Sequence, residues 1–365
     1  MTNFKIFSSE PAAGVRISFY EPHFFDQVCG LYRIVFGADA AVAFQARWNW
    51  AQQDNLCPGE TPKWVLLAGE RVIGFLATIP LHYRMVGRDV LAHTPCDYMV
   101  HPDYRFHGIK LMREFFRTCD NCVACDEIPA TIKVTKWLGA KQAGVLQRYA
   151  KVLDARALRR GRFRAVPDSL WRVGTLGLRW YDSVRAVTSG SNLPVETVHE
   201  FDERSDLFFE QVSRNIPASV MKDCRFLNWR YGLGSPHSNR GIGVITNANG
   251  ELQGYVIFYS AEHPPQTGYL LDLQVMPGVA DSIANSLLNY ALECLRRSGA
   301  WVVQFHRLSS PHAVPQQILQ DNGFVARNTH QFLVKIRDES LREQVLQQEN
   351  WMYSFGDSES SHAIV

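Results

Sequence analysis

"VHPDYRFHGIK", Val100 to Lys110, is the stretch on which the reading of this chain turns. An apolar, strand-like segment enters it, and a helix-like segment, "HGIKLMREFFRTC", leaves it. The join carries Pro102, Arg105 and Gly108. A strand that feeds a helix leaves the first helical N–H groups unpaired and presents the positive end of the dipole. A glycine at that point lets a phosphate come close to the main chain. Arg105, His107 and Lys110 add positive charge. Two readings fit these residues: an ordinary turn, or a cradle for a phosphate-bearing ligand.

Upstream, "KWVLLAGERVIGFLATIPLHYRMVGRDVLAHTPCDYMV" predicts three strands. Gly69-Glu70 and Gly87-Arg88 make the turns, and Pro80 and Pro95 are expected to interrupt or bulge the ladder. Before them, "VRISFYEP" reads as a strand stopped by Pro22. "HFFDQVCGLYRIVFG" places Phe24, Phe25, Val28, Leu31, Tyr32 and Val35 at helical spacing, and "AFQARWNWAQQ" is a second helix. Downstream, Ile109, Leu111, Met112, Phe115 and Phe116 form the apolar face of a helix. "CVACDE" is a strand, "PATIKVTKWLG" a helix from Pro129 to Gly139, and "VLQRYAKVL" a closing strand.

The second half repeats this grammar. "FDERSDLFFEQVSRNI" and "DCRFLNWRYG" read as helices, the latter with Trp229 and Tyr231 echoing Trp48 and Trp50. "GIGVITNANGELQGYVIFYS" is a hairpin on an Asn-Gly turn. "TGYLLDLQVMP", a long helix, "WVVQFHR", a helix over "SPHAVPQQILQDNG" and "HQFLVKI" follow. The exits Leu138-Gly139-Ala140 and Asn322-Gly323-Phe324 fall at corresponding places, which marks a duplication of fold.

A length of 365 residues suits two domains of roughly 150–200 residues each. The apolar share of 46% and charged share of 20% are those of a globular chain with a large core. A net charge of +2 points to no nucleic-acid partner. No basic start precedes an apolar run, so no signal peptide is expected, and no window approaches the ~18 apolar residues of a membrane span. With no secretory signal, the 8 cysteines read as reduced thiols, and a cytoplasmic location is expected. Cys119, Cys122 and Cys125 have a spacing that can gather thiolates around a metal, but a fourth ligand is not evident; the plainer reading is three small buried hydrophobes.

Residues 156–194 differ from both halves. "RALRRGRFRAVP" is rich in arginine, "SLWRVGTLGLRWYDSV" is mixed amphipathic, and "SGSNLP" reads as a loop. The stretch is a linker with a solvated basic face, or a segment that touches an anionic membrane surface through 156–180.

The pattern V-x-P-x-x-R-x-x-G-I, carried here by Val100, Pro102, Arg105, Gly108 and Ile109, resembles the coenzyme A loop of the GNAT superfamily of N-acyltransferases. The element order over roughly 15–155 is similar too, and more weakly that over 195–337. The whole chain resembles bacterial tandem-GNAT proteins with a degenerate second domain. The resemblance implies an α/β (α+β) protein of two tandem GNAT-like domains, each a mixed, mostly antiparallel sheet flanked by helices. The expected parts are an acyl-CoA-binding domain at 1–155, the linker at 156–194 and a degenerate domain at 195–365. It also implies that the amides of Phe106, His107, Gly108, Ile109 and Lys110 hold a pyrophosphate, with Arg105 beside them. The main chain of Met99 and Val100 would pair with the pantetheine arm.

Two departures from the family pattern stand out. Lys110 replaces a small residue, and Thr135 stands where the family often has a tyrosine acid. The second half has "LQVMPGVADSIAN" at the equivalent place, without arginine and glycine, so no coenzyme is expected there.

The implied chemistry is direct attack of a small-molecule amine on acetyl-CoA or another acyl-CoA. It needs a base for the amine proton and an N–H for the thioester oxygen. Asp97 is the first candidate base, His93 and His101 the next, and Trp48 and Trp50 are candidates for lining the acceptor groove, against a plain core role. Two alternatives are a non-catalytic acyl-CoA-binding or regulatory protein, and an aminoacyl-tRNA-dependent transferase of the Fem type.

Overall fold

The computed structural model describes residues 14–159, 163, 165–188, 193–236, 240–260 and 266–363. Arg160, Arg162 and Arg164 of the basic run, and residues 189–192 of the expected loop, lie outside them. The described chain divides into two compact units. The first takes residues up to Pro80 together with His93–Asp120; the second takes Leu81–Ala92 and the residues from Asn121 onward.

The strands and helices of the first unit follow the expected order. They are β1 (Val15–Phe19), α1 (Phe25–Phe36), α2 (Ala38–Gln52), β2 (Trp64–Ala68), β3 (Arg71–Met85), β4 (Arg88–Val100) and α3 (Gly108–Thr118). The far ends of β3 and β4 belong to the second unit. Within the first unit the strand order is β1-β2-β3-β4, with β1 and β3 both antiparallel to β2. The core is aromatic: Trp48 lies against Tyr20, Phe25, Phe44 and Phe75. Neither proline ends its strand, since β3 runs through Pro80 and β4 through Pro95. Asp97 of β4 is a non-glycine residue with φ of 51°.

The second unit adds β5 (Cys122–Asp126), α4 (Pro129–Trp137), β6 (Lys141–Val152), α5 (Asp168–Thr188), β7 (Glu196–Val198), α6 (Arg204–Ser213), β8 (Ala218–Val220) and α7 (Cys224–Tyr231). It continues with β9 (Arg240–Thr246), β10 (Leu252–Ser260), β11 (Thr267–Val275), α8 (Asp281–Arg297), β12 (Val302–Leu308), α9 (Gln316–Asp321), β13 (Val325–Lys335), α10 (Glu339–Val345) and β14 (Trp351–Met352). The expected Asn-Gly hairpin joins β9 and β10. Asn247 Oδ1 accepts the amides of Asn249 and Glu251, and Gly250 takes a φ of 80°.

The main path of this unit's strands is β5-β13-β6-β12-β11-β10-β9-β7. Most pairs are antiparallel; β11–β12 and β8–β14 are parallel. The run β12–α9–β13 repeats β5–α4–β6, and the two repeats exchange strands. Strand β13 lies between β5 and β6, while β6 lies between β13 and β12. Each repeat is thus closed by a strand from the other, which couples segments some 180 residues apart, as in Gln147↔Thr329. Apolar side chains of α8, β10, β11 and β12 make the core beneath this sheet.

Candidate functional site

In the first unit, the Val100–Lys110 join is built as expected up to Pro102 and then departs. Val100 ends β4, and the His101 amide bonds Ile73 O at 2.8 Å. Pro102–His107 then winds into a 3₁₀ turn that runs straight into α3. His101 Nδ1 accepts the Asp103 amide at 3.3 Å, so this imidazole caps the turn. The Tyr104 amide bonds His101 O, and the Gly108 amide bonds Arg105 O. The Gly108 N–H, expected to face a phosphate, is therefore already spent.

The side chains around this turn point apart. Arg105 is exposed and lies over the ring of Phe106, which is 83% exposed. His107 and Ile109 are half-buried. Lys110 reaches back to β1, where its Nζ donates to Val15 O at 3.1 Å, so its ammonium neither fills the turn nor faces a ligand there. Gly108 is buried and has helical dihedrals, so its need for glycine is steric. A Cβ at this position would stand 2.5 Å from the Tyr98 hydroxyl and 3.1 Å from Val100 Cγ2. Tyr98 on β4 is the partner that sequence reading missed. Met99, beside it, is buried.

Asp97 sits three residues before Val100, and its carboxylate is buried against Arg47 of α2 at 2.5 Å. The Tyr32 hydroxyl of α1 lies 3.4 Å from the same oxygen and accepts from Arg47 at 3.1 Å. Burial alone would pull the Arg47 guanidinium down; Asp97 outweighs it and the pKa is raised. The Tyr32 phenol is raised, chiefly by burial and then by Asp97. The ion pair is carried by a residue of strained φ near the end of β4, the kind of backbone cost that persists only where surroundings over-determine it.

His93 has the opposite character. Its Nε2 lies 3.0 Å from Glu60 O, and its Nδ1 is buried with no hydrogen-bond partner among the described residues. Burial lowers its pKa, against a smaller upward effect of the Glu60 contact. With Nε2–H donating to the carbonyl, Nδ1 is left as an unprotonated acceptor. His93 and Asp97 are four residues apart, about 13 Å along a strand, so they do not share one proton.

Trp48 and Trp50 are both buried, and Trp48 is walled in by four aromatic rings. Thr135 is buried on α4, which carries no tyrosine. Cys119, Cys122 and Cys125 are buried; Cys122 and Cys125 are three apart on β5 and so point to opposite faces. Among the described residues no group of three or more His, Cys, Asp or Glu side chains is placed to hold a metal.

The second unit holds a buried counterpart of Asp97 that the sequence reading did not single out. Asp97-Tyr98-Met99-Val100-His101-Pro102 on β4 is matched by Asp272-Leu273-Gln274-Val275-Met276-Pro277 at β11. Asp272 accepts from Lys222 at 2.8 Å and from the Tyr255 hydroxyl at 2.9 Å. Lys222 also meets Asp357 at 2.9 Å, and all three charged groups are buried. Burial pulls the Lys222 ammonium down, but the two carboxylates outweigh it and its pKa is raised.

Asp357 comes from the carboxy-terminal segment, which the sequence reading left unassigned. The parallel pairing of β11 and β12 ends at Leu270↔Phe305. There Phe355 lies between Tyr269 and His306, at 5.9 and 4.4 Å between ring centres. Gly356 passes so close to Tyr231 and Leu271 that no side chain fits. In this half the opening between the parallel strands is thus filled by the chain itself. Further along, the Glu359 carboxyl is buried beside β5, with one oxygen lacking a partner. Burial pushes it up to about 8, helped by Asp126 and opposed by hydrogen bonds from its own amide and that of Cys125.

No protein-family model matches the chain, and no curated protein matches it. Solved structures do. A probable N-acyltransferase from Enterococcus faecalis V583 is 12% identical, with a TM-score of 0.57 over 91% of this chain and 74% of its own. A GCN5-related N-acetyltransferase from Anabaena variabilis is 14% identical, with a TM-score of 0.56 over 90% and 75%. Saccharomyces cerevisiae N-myristoyltransferase, solved with myristoyl-CoA, is 12% identical, with a TM-score of 0.56 over 90% and 85%. At these identities the likeness is one of architecture: the chain has the mixed, mostly antiparallel α/β fold of the GCN5-related N-acetyltransferases.

Proposed function

We propose that the protein is an N-acyltransferase that moves an acyl group from an acyl-CoA, acetyl-CoA in the first instance, to a small-molecule amine. The observation that carries this is the β4–α3 join on a GNAT fold. Strand β4 ends at Val100, turns at Pro102, and enters α3 at a glycine, with Arg105 and His107 in the turn. In this reading Arg105 meets the coenzyme's phosphates. The amides of Phe106, His107, Ile109 and Lys110 lie closest to the diphosphate, and the main chain of Met99 and Val100 faces the pantetheine. Binding unwinds the 3₁₀ turn enough to free the Gly108 amide. The first half, 1–155, is the acyl-CoA-binding domain and 195–365 the degenerate one.

The reaction is attack of the amine nitrogen on the thioester carbonyl. A C–N bond forms, the C–S bond breaks, and coenzyme A leaves as the thiol. His93 is the preferred base among the expected three. Its ring is uncharged near neutral pH and its Nδ1 lone pair is uncommitted among the described residues. Asp97, held by Arg47, acts as a positioning residue for β4.

A second reading, acyl-CoA binding without turnover, is favoured by the absence of a tyrosine on α4. Coenzyme A release from acetyl-CoA, measured across a panel of primary amines, separates the two. Amine-dependent release that His93→Gln abolishes, without loss of acetyl-CoA binding, supports the transferase. Binding with no release on any amine supports the second reading.

A further inference from the structure

Helix α5 carries apolar side chains on two opposite sides. Trp171 is buried, and Thr175, Leu178 and Asp182 are half-buried on the same side. Facing away are Leu170, Val173, Leu176, Trp180, Tyr181 and Val184, between 43 and 71% exposed. At 3.6 residues per turn these six fall within an arc of about 140°. Gly177 lies in the same arc with open space about it. The solvent side of a surface helix is ordinarily its polar side; here it is apolar and holds a tryptophan and a tyrosine. Leu158 and Phe163, both exposed, add to the apolar surface of the same segment.

Charge says what such a face would meet. Residues 156–188 contain eight arginines and two aspartates, whereas the whole chain has a net charge of only +2. Both aspartates are already neutralised, Asp168 by Arg159 and Asp182 by Lys151 and Arg296. Arg172 and Arg179 are exposed on the flank of the apolar arc. Two copies of this chain joined face to face through α5 would press two arginine-rich patches together. A bilayer carrying anionic headgroups supplies both the apolar layer and the opposite charge.

We propose that α5 is a monotopic membrane-docking helix. It lies in the plane of an anionic lipid surface, with Leu170, Val173, Leu176, Trp180 and Val184 in the acyl boundary and the arginines at the headgroups. No described helix is long and apolar enough to cross a bilayer, so the contact is peripheral. The proposal stands apart from the transferase reading and survives its failure.

The test is co-sedimentation of the full chain with vesicles, either equimolar phosphatidylcholine and phosphatidylserine or phosphatidylcholine alone. Binding is expected to the mixed vesicles, with strong weakening at high salt and far less binding to the neutral ones. Leu176→Asp with Trp180→Asp should weaken it at least about tenfold. Arg172→Gln and Arg179→Gln should each weaken it about fivefold. All four side chains are exposed, so an unchanged melting temperature checks that the variants fold. No binding to the mixed vesicles overturns the proposal. So does binding that the Leu176/Trp180 pair leaves intact. So does a lipid-free dimer that this pair dissolves while vesicles bind nothing.

Discussion

Replacing Glu359 by Gln should stabilise the protein at alkaline pH and leave it nearly unchanged in acid. Burial in the folded chain pushes the carboxyl up to about 8, against 4.5 for an exposed glutamate. A carboxyl whose folded pKa is raised contributes most below its unfolded pKa, and the contribution is lost as pH rises through the folded value. At 1.36 kcal/mol per unit, ionisation of this carboxyl in the unfolded chain but not in the native one lowers stability by about 1 kcal/mol near pH 5 and about 4 kcal/mol near pH 8. Glutamine mimics the neutral acid and can still accept the Cys125 amide, so it removes the cost without a cavity. His306, which burial lowers to about 3, is common to both proteins and cancels in the difference. Urea melts of the two proteins are the assay. Their midpoints should nearly coincide near pH 5 and separate by about 1 M or more near pH 8, glutamine the higher. A separation that does not change with pH, or a variant that is the weaker one near pH 8, would refute the buried-acid account.

Two further substitutions probe the first unit. Arg47→Met leaves the Asp97 carboxylate buried without its cation and should cost about 3–5 kcal/mol in urea melts, with Asp97→Asn recovering part of the loss. Gly108→Ala puts a Cβ 2.5 Å from the Tyr98 hydroxyl and should cost about 1–3 kcal/mol. Adding Tyr98→Phe should return at least half of that; no recovery would mean that glycine is needed there for another reason.

Much of the architecture was legible because local signals agreed with it. "WVLLA" is β2 residue for residue, and the Asn-Gly turn sits where the hairpin closes. Pro80 and Pro95 interrupt neither strand, and the left-handed residue within β4 is Asp97, which carries an ion pair. The exchange of β6 and β13 was out of reach, since nothing in "HQFLVKI" names a partner some 180 residues away. Short strands such as β7, β8 and β14 carry too few residues for a period to show. Of the candidate site, the sequence singled out Gly108 for close approach of a phosphate, whereas the structure shows a steric need for glycine there. Its cause is the Tyr98 hydroxyl, which stands where a Cβ would go. Arg47 and Tyr32 were visible only as members of amphipathic helices. Asp272, Lys222 and Asp357 are spread over 136 residues and meet only in the fold.

The central claim is that the β4–α3 join holds the diphosphate of an acyl-CoA. Calorimetric titration of the full chain with acetyl-CoA tests it, alongside Arg105→Glu, a change at an exposed side chain that should leave the fold intact. At ligand near 100 times Kd, binding adds about 2.7 kcal/mol to stability, so a rise of several degrees in Tm should accompany it. Saturable binding that Arg105→Glu weakens by at least about tenfold is the predicted result. No heat and no shift in Tm with the native chain, or binding that the charge reversal leaves untouched, would contradict it.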